Sequence, residues 1–272
     1  MQHLWFDADE SNGIAYEAVA PAHDRAVTFV FLNPLLGDLG DWTAAVAPRV
    51  RDHGHGWIAF NWRGQQGSAY SPDLRLDGQR MMEDARLVLS RLAPRRVVPV
   101  GLGIGGAVAS RLILAGTPAL GMVLINGLRA TGLRLQAIND ALVRALEIGG
   151  LPLLLDLYTP FMAGEAWLAE HLIDAFGHGR PAPLSRATGL YNLMVHAGVA
   201  DWDQPYENLA LPTLVATGLA DRLFNDPAVV AEKAARLQHG RRLDFPDAGL
   251  MIPREAPEEL AAALIGFARD LR

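Results

Sequence analysis

The segment RRVVPVGLGIGGAVASRLILAG, residues 95–116, constrains the fold more than any other stretch of the chain. It reads as a short apolar strand that runs into a glycine-rich turn and then opens a helix. A strand that feeds a helix through so tight a turn belongs to a mostly parallel sheet covered by helices on both faces. In such sheets ligands collect at the carboxyl ends of the strands. The surrounding sequence repeats the alternation. HLWFDADE and GIAYEAVAP, joined by SNG, predict an N-terminal β-hairpin. AVTFVFLNP, GWIAFNWRG, ALGMVLINGLR, LPTLVATGLADRLF and RRLDF carry strand signals. DWTAAVAPRVRDHG, QRMMEDARLVLSRLAP, PAVVAEKAARLQ and APEELAAALIGFARDLR carry helical spacing between and after them. The expected class is α/β.

From residue 130 to 208 the strand signals stop, and runs such as LQAINDALVRALEIG and GEAWLAEHLIDAFGHG are helical throughout. We read residues 130–208 as a helical cap inserted into a core formed by residues 1–129 and 209–272. A chain of 272 residues, 50% hydrophobic and 20% charged, has the balance of an ordinary soluble domain with a sizeable core. Its net charge of −6 argues against nucleic acid as a partner. The absence of cysteine excludes disulfides, thiolate nucleophiles and thiolate metal sites. Lys233, the sole lysine, sits in the helical run DPAVVAEKAARL, so Schiff-base chemistry would rest on it alone. His53 and His55 in RDHGHG lack a third ligand at metal-site spacing and are read as a solvated helix end. No metal or cofactor is expected. The N-terminal residues lack a basic start and a long apolar run, so neither a targeting segment nor a membrane partner is expected, and a cytoplasmic location fits.

The glycine turn has two spellings. Gly101, Gly103 and Gly106 satisfy G-x-G-x-x-G, which lets backbone approach a dinucleotide pyrophosphate. That pattern normally follows the first strand of its unit and is answered about 20 residues later by an acidic residue. Here several elements precede it, and the next strand ends at Asn126. The other spelling is the strand–elbow–helix of G-x-S-x-G, with Gly103 at the serine position. The order of the hairpin, the NPLLGDLGDW loop, the NWRGQQGSAYS turn, the GLGIG elbow, the helical insertion, PTLVATGLADRLF and DAGLMIPREAPEEL resembles the α/β-hydrolase superfamily over nearly the whole chain.

That resemblance implies a serine, histidine and acid at the strand ends. Asp221 in GLADR falls on the acid, Gly103 on the nucleophile and Leu250 on the base, because the usual Gly-His reads Gly249-Leu250. A triad works as a unit: serine attacks, histidine moves its proton and the acid orients the histidine. With two members absent, ester hydrolysis by this route is expected to be absent. The loop after the first parallel strand reads Asn33-Pro34 and is similar to the Asn-Ser-Leu-Gly variant of 3-oxoadipate enol-lactonases. Pro34 removes one backbone donor, while Leu35 and Ile104 keep theirs. Gly105 and Gly106 at a helix N-terminus are expected to let a carboxylate or carbonyl oxygen come close.

The expected activity is therefore binding of a small, mostly apolar ligand under the cap. Asn33, Leu35 and Ile104 supply its polar contacts, and Tyr158, Phe161, Met162, Trp167, Tyr191, Met194 and His196 its walls. The same cap residues suit a cap interior. Plant gibberellin receptors use this scaffold as a ligand sensor, which implies a protein partner that reads cap closure; a homo-oligomer is the other partner reading. Three alternatives stay open. Asp221 could serve a cyclase, lyase or isomerase as a lone acid or base above the oxyanion floor. A weak hydrolase could use Ser68 or Ser71 with His171 or His196. The chain could be a scaffold subunit with a vestigial pocket. Each candidate also has a plain structural role: Asp221 beside Arg222 as an ion pair or cap, Leu250 as core packing, and the histidines as surface groups.

Overall fold

The computed structural model describes residues 1–175, 179–198 and 202–271, apart from the side chains of residues 172, 174 and 175. Strands β1 (Gln2–Trp5) and β2 (Gly13–Val19) form the expected antiparallel hairpin, with Gln2 opposite Tyr16 and Trp5 opposite Gly13. β3 (Thr28–Leu32) is followed by two short helices, α1 (Gly40–Thr43) and α2 (Val46–Asp52), and then by β4 (Gly56–Phe60). α3 (Gly78–Leu92) starts at Asp77, whose carboxylate accepts a hydrogen bond from the Arg80 amide. β5 (Val97–Leu102), α4 (Ile104–Leu114) and β6 (Met122–Ile125) complete the first half.

The helices α5 (Leu133–Met162), α6 (Glu165–Ala175) and α7 (Gly189–His196) separate β6 from β7 (Thr213–Gly218). α8 (Pro227–Ala235), β8 (Gly240–Phe245), α9 (Ile252–Glu255) and α10 (Pro257–Asp270) close the chain. The eight strands lie in the order β1-β2-β4-β3-β5-β6-β7-β8. From β4 to β8 every pair is parallel.

The alternation of side chains along β3 builds both cores. Val30 and Leu32 face one layer with Met81, Ala85 and Val88 of α3 and Val108 and Leu112 of α4. Phe29 and Phe31 face the other with Val46 and Val50 of α2 and Leu260 and Leu264 of α10. A strand buried on both faces needs an unbroken apolar run, and TFVFL is one.

Two helices depart from the sequence reading. DWTAAVAPRVRDHG is two helices and not one, because the backbone breaks at Ala45 (φ −141°, ψ −46°). The break lets α1 turn Trp42 inward, stacked on Phe31 at 4.7 Å, while α2 buries Val46, Ala47 and Val50. LQAINDALVRALEIG does not end at its glycines: α5 continues to Met162 across a kink at Gly150 (φ 68°, ψ −163°). The run GEAWLAEHLIDAFGHG forms α6 as far as Ala175, and its residues 176–178 lie outside the described set.

The segment between β6 and β7 packs partly against the sheet. Leu193 and Ala197, with Trp202, Tyr206 and Leu209, join the core layer under α3 and α4. Leu142, Ala145, Leu146, Leu154 and Met194 form a separate cluster above the strand ends. Among the described residues no helix is long and apolar enough to cross a membrane.

Candidate functional site

The site lies where β5 meets α4. Gly103 holds φ 55° and ψ −118°, a conformation that glycine adopts at little cost and that strains a residue with a side chain. Its N–H donates to the Ile125 carbonyl at 2.8 Å, and its own carbonyl accepts from the Gly106 amide at 2.9 Å. Ile104 opens the helix, so its N–H carries no intrahelical bond. Gly105 and Gly106 do not face a ligand, which corrects their expected use. A Cβ on Gly105 would collide with the Leu32 carbonyl, and one on Gly106 would stand 3.3 Å from the Gly127 Cα. Their bareness lets β3 and the β6 loop pack against the helix.

The feature in front of Gly103 is an arginine that the sequence reading passed over. A Cβ built on Gly103 would stand 3.2 Å from Nη2 of Arg129. Arg129 leaves the loop after β6 and lays its guanidinium between two rings, 3.9 Å from the centre of Phe224 and 4.9 Å from Trp202. Its Nε donates weakly to the Asn126 carbonyl at 3.4 Å. Burial pushes the Arg129 pKa down to about 10, opposed by the charge of Asp221, so the group stays cationic at neutral pH.

Asp221 is buried, and its Oδ1 accepts from the amides of Leu223 and Phe224, each at 3.0 Å. Burial raises its pKa, against the pull of Arg129 and these two amides. Oδ2 has no hydrogen-bond partner among the described residues. Asp221 and Arg129 line a common void of about 10 Å³, and no ion pair joins Arg129 to any carboxylate among the described residues.

Two cavities open from this point. The inner one, about 60 Å³, is bounded by Gly103, Ile104, Arg129, Met194, Trp202 and Phe224. The outer one, about 400 Å³, is bounded by Gly64, Gln65, Thr159, Trp167, Arg254 and Glu255. Leu35, Leu36, Met162 and Leu250 belong to both walls, so the two form one recess between α5 and the strand ends.

Of the residues singled out from sequence, Gly103, Leu35, Ile104, Met162, Met194 and Leu250 border the inner cavity and Trp167 the outer. The others are placed elsewhere. Asn33 is fully buried and spends its amide inside the fold: Nδ2 donates to Phe60, Asn61 and Gln65, and Oδ1 accepts from the Trp42 indole at 2.8 Å. Its expected ligand contact is therefore corrected. Phe161 points outward and is 51% exposed. Tyr158 packs within the helical insertion, Tyr191 donates its hydroxyl to Glu147 at 2.7 Å, and His196 is bonded through Nδ1 to Asn192.

The serines, the lysine and the remaining histidines singled out from sequence also lie away from the recess. Ser68 Oγ accepts from the Ala15 amide and donates to the Asn61 carbonyl, and Ser71 Oγ bonds with Asn12. His171 stacks on Trp167. Lys233 pairs with Asp203 at 2.9 Å. His53 and His55 line a separate cleft with His23, Arg25, Arg96 and Arg269.

Two further residues missed in the sequence hold the recess in shape. Asn126, at φ 47°, donates to the carbonyls of Gly249 and Leu250 and accepts from the Gly218 amide. Glu255 accepts the amides of Gly164, Gly249 and Met251 at 2.7, 2.7 and 2.9 Å, tying the Leu250 loop to the end of α5. Burial raises the Glu255 pKa, and those amides pull it back.

The Alpha/beta hydrolase family model matches residues 29–263. The chain belongs to that family. A Variovorax paradoxus protein assigned as the carbamate hydrolase RutD is 27% identical over 216 residues, 76% of this chain and 78% of that protein. An α/β hydrolase from a Medee basin deep-sea metagenome library superposes with a TM-score of 0.84 at 18% identity, covering 100% of this chain and 98% of the other. The Thermogutta terrifontis esterase gives 0.78 at 18% identity with 99% of both chains covered. The Burkholderia xenovorans enol-lactonase gives 0.78 at 19% identity, covering 95% of this chain and 97% of the other. At these identities the structural likeness establishes the α/β-hydrolase fold. The Gly101–Gly106 turn accordingly serves as the strand-to-helix elbow of that fold.

Proposed function

We propose that this α/β-hydrolase-fold protein binds a small, mostly apolar ligand under its helical insertion and has no serine-hydrolase activity. The observation that carries the reading is the Arg129 guanidinium in front of Gly103, on the side where an elbow residue would project its side chain. Attack on an acyl carbon needs an oxygen or sulfur there and a base to take its proton. Glycine supplies neither atom, Leu250 supplies no base, and the Arg129 cation stands 3.2 Å from where a side chain at 103 would begin. Ser68, Ser71, His171 and His196 are held in structural hydrogen bonds outside the recess, which weighs against a nucleophile or base among them. The hydrolase names carried by relatives describe those proteins and favour a recess of small-molecule size here.

A second reading gives Asp221 a proton to carry in a cyclase, lyase or isomerase. Its raised pKa and unbonded Oδ2 favour it. Deuterium exchange at a ligand carbon, present in the wild type and lost in Asp221→Asn, would establish that chemistry.

The test of the first reading uses Trp167 and Trp202, which border the two cavities. Titration with C6 to C10 acyl compounds is expected to change tryptophan fluorescence saturably. Activated aryl esters of the same lengths are expected to hydrolyse at the buffer rate. Enzymatic turnover of those esters by the wild type would refute the reading.

A further inference from the structure

The inner cavity carries a charge preference. Its walls are apolar at Pro34, Leu35, Leu36, Met162, Met194 and Leu250, and the amide of Asn139 is turned to the Gly198 carbonyl. Arg129 is the charged side chain in that lining. The floor is the start of α4, an 11-residue helix whose first N–H groups and dipole add positive potential to that of the guanidinium. Among the described residues lining this space, the charge offered to a ligand is positive.

Arg129 is half-buried, and a partly desolvated cation is stabilised by a counter-charge that aromatic faces supply only in part. Among the described residues, Asp221 is the carboxylate whose charge acts on Arg129. Its Oδ1 is bound to two amides, and it makes no ion pair with Arg129. Among the described residues the guanidinium's hydrogen bond is made by Nε alone, and Nη2 lies over Gly103 in the wall of the inner cavity. A planar fork of N–H donors beside a small apolar space matches a carboxylate, which it can engage through two parallel bonds.

We infer that the ligand is a carboxylate with an apolar body, its head group paired with Arg129 above Gly103 and its tail running past Leu35, Met162 and Leu250 into the outer cavity. This rests on the binding role proposed above and adds the chemical class of the ligand. It also gives Gly103 a function. With no side chain at that position the guanidinium and the carboxylate meet directly over the helix N-terminus.

Octanoate and its neutral isostere octanamide separate this inference from the binding role. By titration calorimetry at pH 7.5 the wild type is expected to bind octanoate at least about tenfold more tightly than octanamide, the range of a charge-assisted hydrogen bond. Arg129→Gln is expected to erase that preference and Arg129→Lys to keep part of it, with circular dichroism checking both folds. Equal affinity of the wild type for the two compounds would overturn the charge inference while leaving a neutral binding role intact. Failure of octanoate to bind up to its solubility limit would also overturn it. Turnover of aryl esters would instead remove the binding role itself.

Discussion

Aryl-ester hydrolysis is expected to emerge in Gly103→Ser/Leu250→His/Arg129→Ala, and not in Gly103→Ser/Leu250→His alone. In the double variant the new Cβ stands 3.2 Å from Nη2 of Arg129, closer than ordinary contact, and the hydroxyl beyond it meets the guanidinium. The cation also borders the void that leads to Asp221, so an imidazole at 250 and the carboxylate stay separated. Shortening Arg129 clears both paths. A serine with a general base then gains the contribution typical of positioned proton transfer, about 100-fold or more over wild type. Serine at φ 55° costs about 1–3 kcal/mol of stability, so the assay belongs at 25 °C with the fold verified by circular dichroism. Hydrolysis by the double variant at the rate of the triple would show that Arg129 does not obstruct the elbow.

Arg63→Met is expected to lower stability by about 3–5 kcal/mol, the cost of leaving a buried carboxylate without its partner. Arg63 and Asp84 are 8% and 3% exposed, and two guanidinium nitrogens engage the carboxylate. Nη1 also donates to Asn12, and the guanidinium covers the ring of Phe6 at 5.0 Å. The pair fastens the hairpin and α3 to the turn whose Gly64 and Gln65 form a wall of the outer cavity. The double variant Arg63→Met/Asp84→Leu is expected to recover most of the loss, since an apolar pair of similar volume replaces a buried ion pair at little net cost. Urea unfolding of the three proteins measures both steps. A single variant within about 1 kcal/mol of wild type would mean that Asp84 finds water or another donor.

The fold was legible because its signals are local. TFVFL, GWIAF and VVPVGL are apolar runs of strand length, and α3, α7 and α8 start at a capping side chain, Asp77, Thr188 and Asp226. The break between α1 and α2 was not, because it is set by a contact between Trp42 and Phe31 that no local pattern encodes. Gly103, Leu250 and Asp221 were singled out by motif order. Arg129 was missed because a single arginine after a strand reads as a surface group. Its enclosure depends on Trp202 and Phe224, which reach it from distant parts of the chain.

Asn33 misled for the opposite reason. A polar residue at a strand end looks available, but four partners contributed by β4, the following turn and α1 consume its amide. Of the residues expected to wall the ligand, Met162, Trp167 and Met194 line the recess and the others do not. Neighbours on a helix point about 100° apart, so Met162 lines the recess while Phe161 faces solvent. The kink at Gly150 sets which face the second half of α5 presents.

The absence of a nucleophile at the elbow is tested most directly by intact-protein mass spectrometry of the wild type after incubation with an alkyl fluorophosphonate, a reagent that modifies activated serines. The expected result is an unchanged mass, with the triple variant gaining one adduct under the same conditions. A stoichiometric adduct on the wild type would contradict the central claim, and the peptide that carries it would identify the nucleophile.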